Sequence, residues 1–228
     1  MADLAGLDPD LVVITGDNVA AADSLDLLAR AYAPLFNYPG AFVFGSNDYK
    51  GPVFKNPFSY FDKDREYVQG VDLPVEELRT MLRDAGWADL NNSRTMLKAG
   101  GRTIELVGVD DPHIDLDDYA SVAGRPSSAA DVAIGLTHSP EPGVLDEMAV
   151  DGFRLLLAGH THGGQVCVPG VGALVTNCGL DRRMAKGLHR WPGTASWLHV
   201  SAGLGTHPTA PVRFACRPEA SLLTLVPS

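Results

Sequence analysis

Two histidines one residue apart sit in Leu157-Ala158-Gly159-His160-Thr161-His162-Gly163-Gly164-Gln165-Val166, between an apolar run and a glycine pair. Imidazole is the commonest protein ligand for transition metals, so a strand ending here would deliver two ligands to one loop. They could serve one ion or a neighbouring pair. The glycines would let backbone N–H groups approach an anion. Taken alone, the pattern reads equally well as a solvated surface turn. Asp17, Asn47 and His138 change that reading, because each also follows a short apolar run, at residues 11–15, 41–44 and 132–136. Ligands of open α/β sheets bind beyond the carboxyl ends of strands, and five metal-compatible residues from four such ends point to one site. A carboxylate able to bridge cations, neutral imidazoles and an amide carbonyl suit two divalent ions: manganese, iron or zinc. Two such ions can hold a phosphate, generate hydroxide and stabilise a leaving oxygen, so the reaction class is phosphoester hydrolysis.

The elements that must position these residues alternate between strand and helix. Residues 23–32 and 74–85 carry apolar side chains at helical spacing, and residues 103–109 form a strand leading to Asp110-Asp111-Pro112-His113. Residues 153–158 form the strand that ends at the histidine loop, while 197–200 and 220–225 read as added strands of a mixed sheet. Residues 50–70 are polar and aromatic without a period, which predicts a long loop or insertion. The expected fold class is α/β, in one domain covering residues 1–228. At 45% hydrophobic residues the chain can bury a substantial core, and a net charge of −10 disfavours a nucleic-acid surface. Three cysteines without Cys-x-x-Cys spacing predict reduced, buried thiols rather than a disulfide framework or a zinc knuckle. Met1 to Gly6 lacks a signal sequence, and no window approaches eighteen uninterrupted apolar residues. The expected location is therefore the cytoplasm.

In order and rough spacing these residues resemble the calcineurin-like metallophosphoesterases. The blocks of that family run Asp-x-His, Gly-Asp, Gly-Asn-His-Asp/Glu, a lone His and Gly-His-x-His. Gly16-Asp17, Ser46-Asn47-Asp48, Thr137-His138 and Gly159-His160-Thr161-His162 match four of the five. The longer Gly-His-Thr-His-Gly-Gly-Gln, with Gly203-Leu204-Gly205-Thr206 and Pro211-Val212-Arg213-Phe214, is similar to a bacterial phosphodiesterase subgroup. The resemblance implies two facing mixed β-sheets flanked by helices, with metals at the strand ends. It implies that Asp17 bridges two divalent ions, that Asn47, His138 and His160 complete one shell, and that His162 belongs to the other.

No Asp-x-His precedes Gly16, so the same resemblance predicts an N-terminally truncated chain, without the first strand and two protein ligands. Asp48 stands where the family has a histidine that contacts substrate and protonates the leaving group. An aspartate does that only with a raised pKa. It either acts as the acid or orients a neighbour, with His113 a candidate replacement that otherwise reads as an ordinary loop histidine. The expected function is two-metal hydrolysis of a phosphodiester or pyrophosphate-linked substrate, small or lipid-linked. The alternative is an inactive or metal-binding regulatory homologue. Cys167, Trp87, Trp191 and Trp197 read as packing, and Arg182-Arg183 with Lys186 as either phosphate contacts or a solvated turn.

Overall fold

Each apolar run is just long enough for a strand whose two faces are both covered, and that double burial sets the architecture. The computed structural model describes residues 1–53, 70–207 and 211–226. In chain order the elements are α1 (Ala2–Ala5), β1 (Val12–Ile14), α2 (Leu25–Tyr32), β2 (Gly40–Phe42), α3 (Ser46–Tyr49), α4 (Val75–Asp84), β3 (Ala88–Asp89), β4 (Ser93–Ala99) and β5 (Arg102–Gly108). They continue with β6 (Val132–Leu136), α5 (Pro142–Asp151), β7 (Leu155–Ala158), β8 (Cys167–Val168), β9 (Gly172–Ala173), β10 (Gly187–Arg190) and β11 (Trp197–Val200).

Two sheets face each other. The smaller, ordered β1-β2-β3, is parallel throughout, with Val12 opposite Gly40 and Ala41 opposite Ala88. The larger is mixed, ordered β10-β11-β7-β6-β5-β4, with antiparallel outer pairs and a parallel centre. Between them Ala41, Val43 and Leu90 meet Ile104, Leu106, Leu136 and Leu157. The strand period of two turns the intervening residues outward. Phe42 and Phe44 pack on Leu78, Leu82 and Trp87 beside α4, and Val107, Leu156 and Leu198 pack on Leu145 and Met148 of α5.

The expectation of two facing sheets flanked by helices therefore holds, and the alternating runs fall where the sequence placed them. Two elements differ. β4 escaped the sequence reading although Gly100-Gly101 marks it: both glycines have positive φ, 56° and 71°, which a two-residue hairpin turn between Ala99 and Arg102 requires. Residues 220–225 form no strand. Leu223 packs against the core between the sheets while Leu222 and Leu225 stay exposed, and no ladder partner lies beside them among the described residues. Most of the expected insertion at 50–70 lies outside the described residues; its base is closed by Gly51 N–H to the Val71 carbonyl, 2.7 Å, and Leu73 N–H to the Tyr49 carbonyl, 2.9 Å. No described helix is long and apolar enough to cross a membrane.

The parallel strands of both sheets end on one side of the molecule. Asp17, Asn47, Asp111, His138 and His160 follow the ends of β1, β2, β5, β6 and β7. If the core between the sheets holds those ends together, Leu106→Ala should cost about 2–5 kcal/mol. It would appear as a lower urea midpoint with unchanged slope, whereas exposed Val150→Ala should stay within about 0.5 kcal/mol.

Candidate metal centre

The site is shaped first by a buried carboxylate. Asp48, at the start of α3, is fully buried, and its oxygens accept the backbone N–H groups of Asp17 (2.8 Å), Asn18 (2.6 Å), Val19 (3.3 Å) and Gly45 (3.0 Å), plus the Asn18 side-chain amide (3.2 Å). These bonds curl the chain after β1 through Gly16 (φ 92°) into Asp17 (φ 58°), a left-handed conformation uncommon outside glycine. A Cβ on Gly16 would lie 2.6 Å from both the Gly45 nitrogen and His138 Nδ1, so only glycine fits there. Asp17 returns the exchange by accepting from Asn47 N–H (3.0 Å) and the Asn47 side-chain amide (2.8 Å). Burial, and then the Asp17 charge, push the Asp48 pKa up, to about 7, against the donors that draw it down. Both oxygens of Asp48 are turned into the loop junction.

The imidazoles are oriented from behind by carbonyls. His138 Nδ1 lies 2.5 Å from the Thr15 carbonyl oxygen, and His160 Nε2 lies 3.1 Å from that of Asn177. A carbonyl only accepts, so both of these ring nitrogens carry the proton. The opposite nitrogens, His138 Nε2 and His160 Nδ1, then face each other at 3.3 Å, and Asp17 Oδ2 lies 3.4 Å from His138 Nε2. Three acceptor atoms turned together require a positive charge between them, either a proton or a cation. Ligands about 2.1 Å from a tetrahedral ion lie roughly 3.4 Å apart, so the two separations are the edges of such a shell. The shell is open, since among the described residues no group of three or more His, Cys, Asp or Glu side chains closes around an ion position. Asp17, His138 and His160 are donor types that a divalent cation takes, and these two edges have the length such a shell needs.

Proton affinities follow the same geometry. Burial disfavours charged His138, but the Asp17 and Asp111 carboxylates and the Thr15 carbonyl outweigh it and raise its pKa to about 10. Burial, together with the His138 and His113 charges, holds His160 down, to about 3. Burial alone would raise the Asp17 pKa, yet the His138 charge and the hydrogen bonds from His138 and Asn47 bring it far below the usual range.

Of the residues expected from sequence, Asp17, Asn47, His138 and His160 come together, and the His113 ring centroid lies 4.6 Å from that of His160. His162 meets the Gly205 carbonyl oxygen through Nδ1, 3.5 Å away, and burial lowers its pKa against the pull of the Asp17 charge. Both loop histidines have positive φ, 65° and 50°. Three contributors were missed. Asp111, fully buried, accepts from Ser46 N–H (2.7 Å) and His113 N–H (3.0 Å), and burial raises its pKa to about 6 against the His138 charge. Its position after β5 was the available signal. Asn177 gave none, and Arg213 stood only within the Pro211-Val212-Arg213-Phe214 motif, with no role attached. Arg213 donates to the carbonyls of Ala202 (2.6 Å) and Gly205 (2.9 Å) nearby in the chain and to that of His162 (3.0 Å), 51 residues away.

The motif order, now placed in space, meets an independent match: a family model described as calcineurin-like phosphoesterase covers residues 2–164. The chain belongs to the calcineurin-like phosphoesterase family. It is accordingly a metal-dependent phosphoric ester hydrolase by family, and divalent metal ions are that family's cofactors. Over 95% of its length the chain is 26% identical to the uncharacterized metallophosphoesterase YkuE of Bacillus subtilis (strain 168), covering 68% of that protein. Over 96% of its length it is 28% identical to the phosphodiesterase YaeI of Escherichia coli (strain K12), covering 71% of that protein. Among solved structures it is similar to the sulfate thiohydrolase SoxB of Thermus thermophilus, with 14% identity and a TM-score of 0.42. That match covers 83% of this chain and 33% of the other, so the chain spans about a third of that structure's length.

Two outcomes test this geometry. Zinc uptake by the metal-stripped protein at pH 7.5 should release about one proton, because His138 Nε2 carries one there and the ion must displace it. Calorimetric titration in two buffers of different ionisation enthalpy counts that proton, and none released would mean a neutral His138. Asp48→Asn should lower stability by about 2–4 kcal/mol, since an amide turns donors toward backbone donors. Urea denaturation reads the loss, and metal retention should fall with it.

Proposed function

We propose that this chain hydrolyses a phosphodiester or a pyrophosphate-linked ester at the centre formed by Asp17, His138 and His160. The observation that supports this reading is the convergence of Asp17 Oδ2, His138 Nε2 and His160 Nδ1, with the opposite nitrogen of each ring committed to a backbone carbonyl. A bound divalent ion would polarise the phosphoryl oxygens and lower the pKa of a water molecule. Asp17, His138 and His160 would hold the first ion, with Asn47 fixing the Asp17 carboxylate. A second ion would draw on Asp17 and His162. In our reading His113 donates the proton to the leaving oxygen: its ring lies against His160, and Asp111 fixes its backbone. Asp48 is a positioning residue. A small or lipid-linked phosphoester is the substrate class.

A second reading, metal binding without turnover, draws on the open shell. One assay separates the two. Hydrolysis of bis(p-nitrophenyl) phosphate should vanish with a chelator, return with manganese, and fall below about one hundredth of wild type in Asp17→Asn and His138→Gln. Metal uptake without any turnover would instead support the regulatory reading. His113→Ala should slow cleavage of an alkyl ester roughly 100-fold while leaving the p-nitrophenyl ester nearly unchanged, because a good leaving group needs no proton.

A further inference from the structure

The chain leaving the histidine loop builds a small ribbon with an inverted outer face. β8 pairs with β9, and Val166 bridges Phe214, with Cys167 N–H donating to the Phe214 carbonyl (2.9 Å) and Phe214 N–H to that of Gln165 (3.0 Å). Cys167, Ala173 and Cys216 turn inward and pack with Ala185. By strand alternation Val166, Val168 and Phe214 turn outward, where polar residues would ordinarily meet water. Phe214 is 58% exposed and Val212, two residues earlier, is 62% exposed, with Val171 at the hairpin turn also exposed. Single exposed apolar residues need no explanation, but a contiguous face of them does. The face is coupled to the site, because Arg213, between Val212 and Phe214, donates to the His162 carbonyl, and Gly205, beside exposed Leu204, faces the His162 ring.

Charge is distributed unevenly in the same part of the chain. Residues 152–218 hold seven of the 18 Lys and Arg but, in Asp181, a single one of the 28 Asp and Glu. This segment is positive within a protein of net charge −10. Arg183 pairs with Asp181 and Lys186 with Glu219, while Arg182, on a turn packed against β9, and Arg217, next to Cys216, are exposed. A soluble phosphate calls for the positive charge alone. An anionic bilayer calls for both, apolar side chains at the acyl boundary and arginines at the lipid phosphates.

We propose that the outer face of this ribbon docks on an anionic lipid bilayer and so presents the His160–His162 loop to phosphoesters of membrane lipids. The substrate half of this statement rests on the phosphoesterase reading, and the docking half does not. Sedimentation with phosphatidylcholine vesicles, with and without phosphatidylglycerol, tests the docking. The wild-type chain should pellet with the anionic vesicles and stay largely in solution with the neutral ones. The double variant Val168→Ser/Phe214→Ser should partition at least about tenfold less, as should Arg182→Glu/Arg217→Glu. Melting followed by circular dichroism checks that the variants fold. Turnover of the soluble aryl ester should be unchanged in Val168→Ser/Phe214→Ser. Loss of turnover with vesicle binding intact would count against the phosphoesterase reading alone. Wild-type protein that ignores both vesicles, or binds them equally, would overturn the docking. So would light scattering that shows a dimer dissociated by Val168→Ser/Phe214→Ser, because the face would then join two copies of this chain.

Discussion

The arrangement depends on one buried carboxylate. Asp48 gathers backbone N–H groups from the loop after β1 and from its own helix start, and Asp17 replies by accepting from Asn47 across the same gap. A carboxylate removed from water is stable only when its lone pairs are met by donors. The two loops therefore come as a matched pair, and neither keeps its shape alone. The exchange holds Asp17 at a positive φ that its backbone would otherwise rarely adopt. It also fixes Asp17 Oδ2, which accepts from the Asn47 side-chain amide and faces His138 Nε2.

From that carboxylate the electrostatic logic runs outward. Thr15 and Asn177 accept from the far sides of two imidazoles and turn the near nitrogens toward Asp17 and toward each other. Buried acceptors that face one another are unfavourable without a positive charge, so the centre is built to bind a proton or a metal ion. Left-handed backbone at Asp17, His160, His162 and Asn177 shows where the fold stores strain to reach this arrangement. The tightly packed core between the sheets supplies the rigidity that keeps it.

Several features of this centre were legible in the chain. Apolar runs that stop at Gly16-Asp17, Thr137-His138 and Gly159-His160 declare parallel strands and place their polar residues at one end, because the strand period and the rule for parallel sheets leave little choice. Asp48 was visible as a residue, but its role was not. The motif comparison left it as either an acid or a residue that orients a neighbour, whereas the N–H groups that the loop after β1 donates to both of its oxygens turn it into the protein. β4 was masked because its side chains are half-buried at a sheet edge and carry polar and apolar residues alike, so its signal lay in the turn rather than in the strand.

By itself, then, the sequence determined the class of fold, the side of the sheets on which chemistry collects, and the Asp and His side chains gathered there. Tertiary structure decided which ring nitrogen each histidine offers, which carboxylate faces the site, and which carbonyls hold the rings. Those choices are made by partners separated by 123 residues for His138 and Thr15, and by 51 for Arg213 and His162. Hydrogen bonding acts over distances near 3 Å in space, and nothing in the local pattern of a chain states which distant residues folding will bring that close.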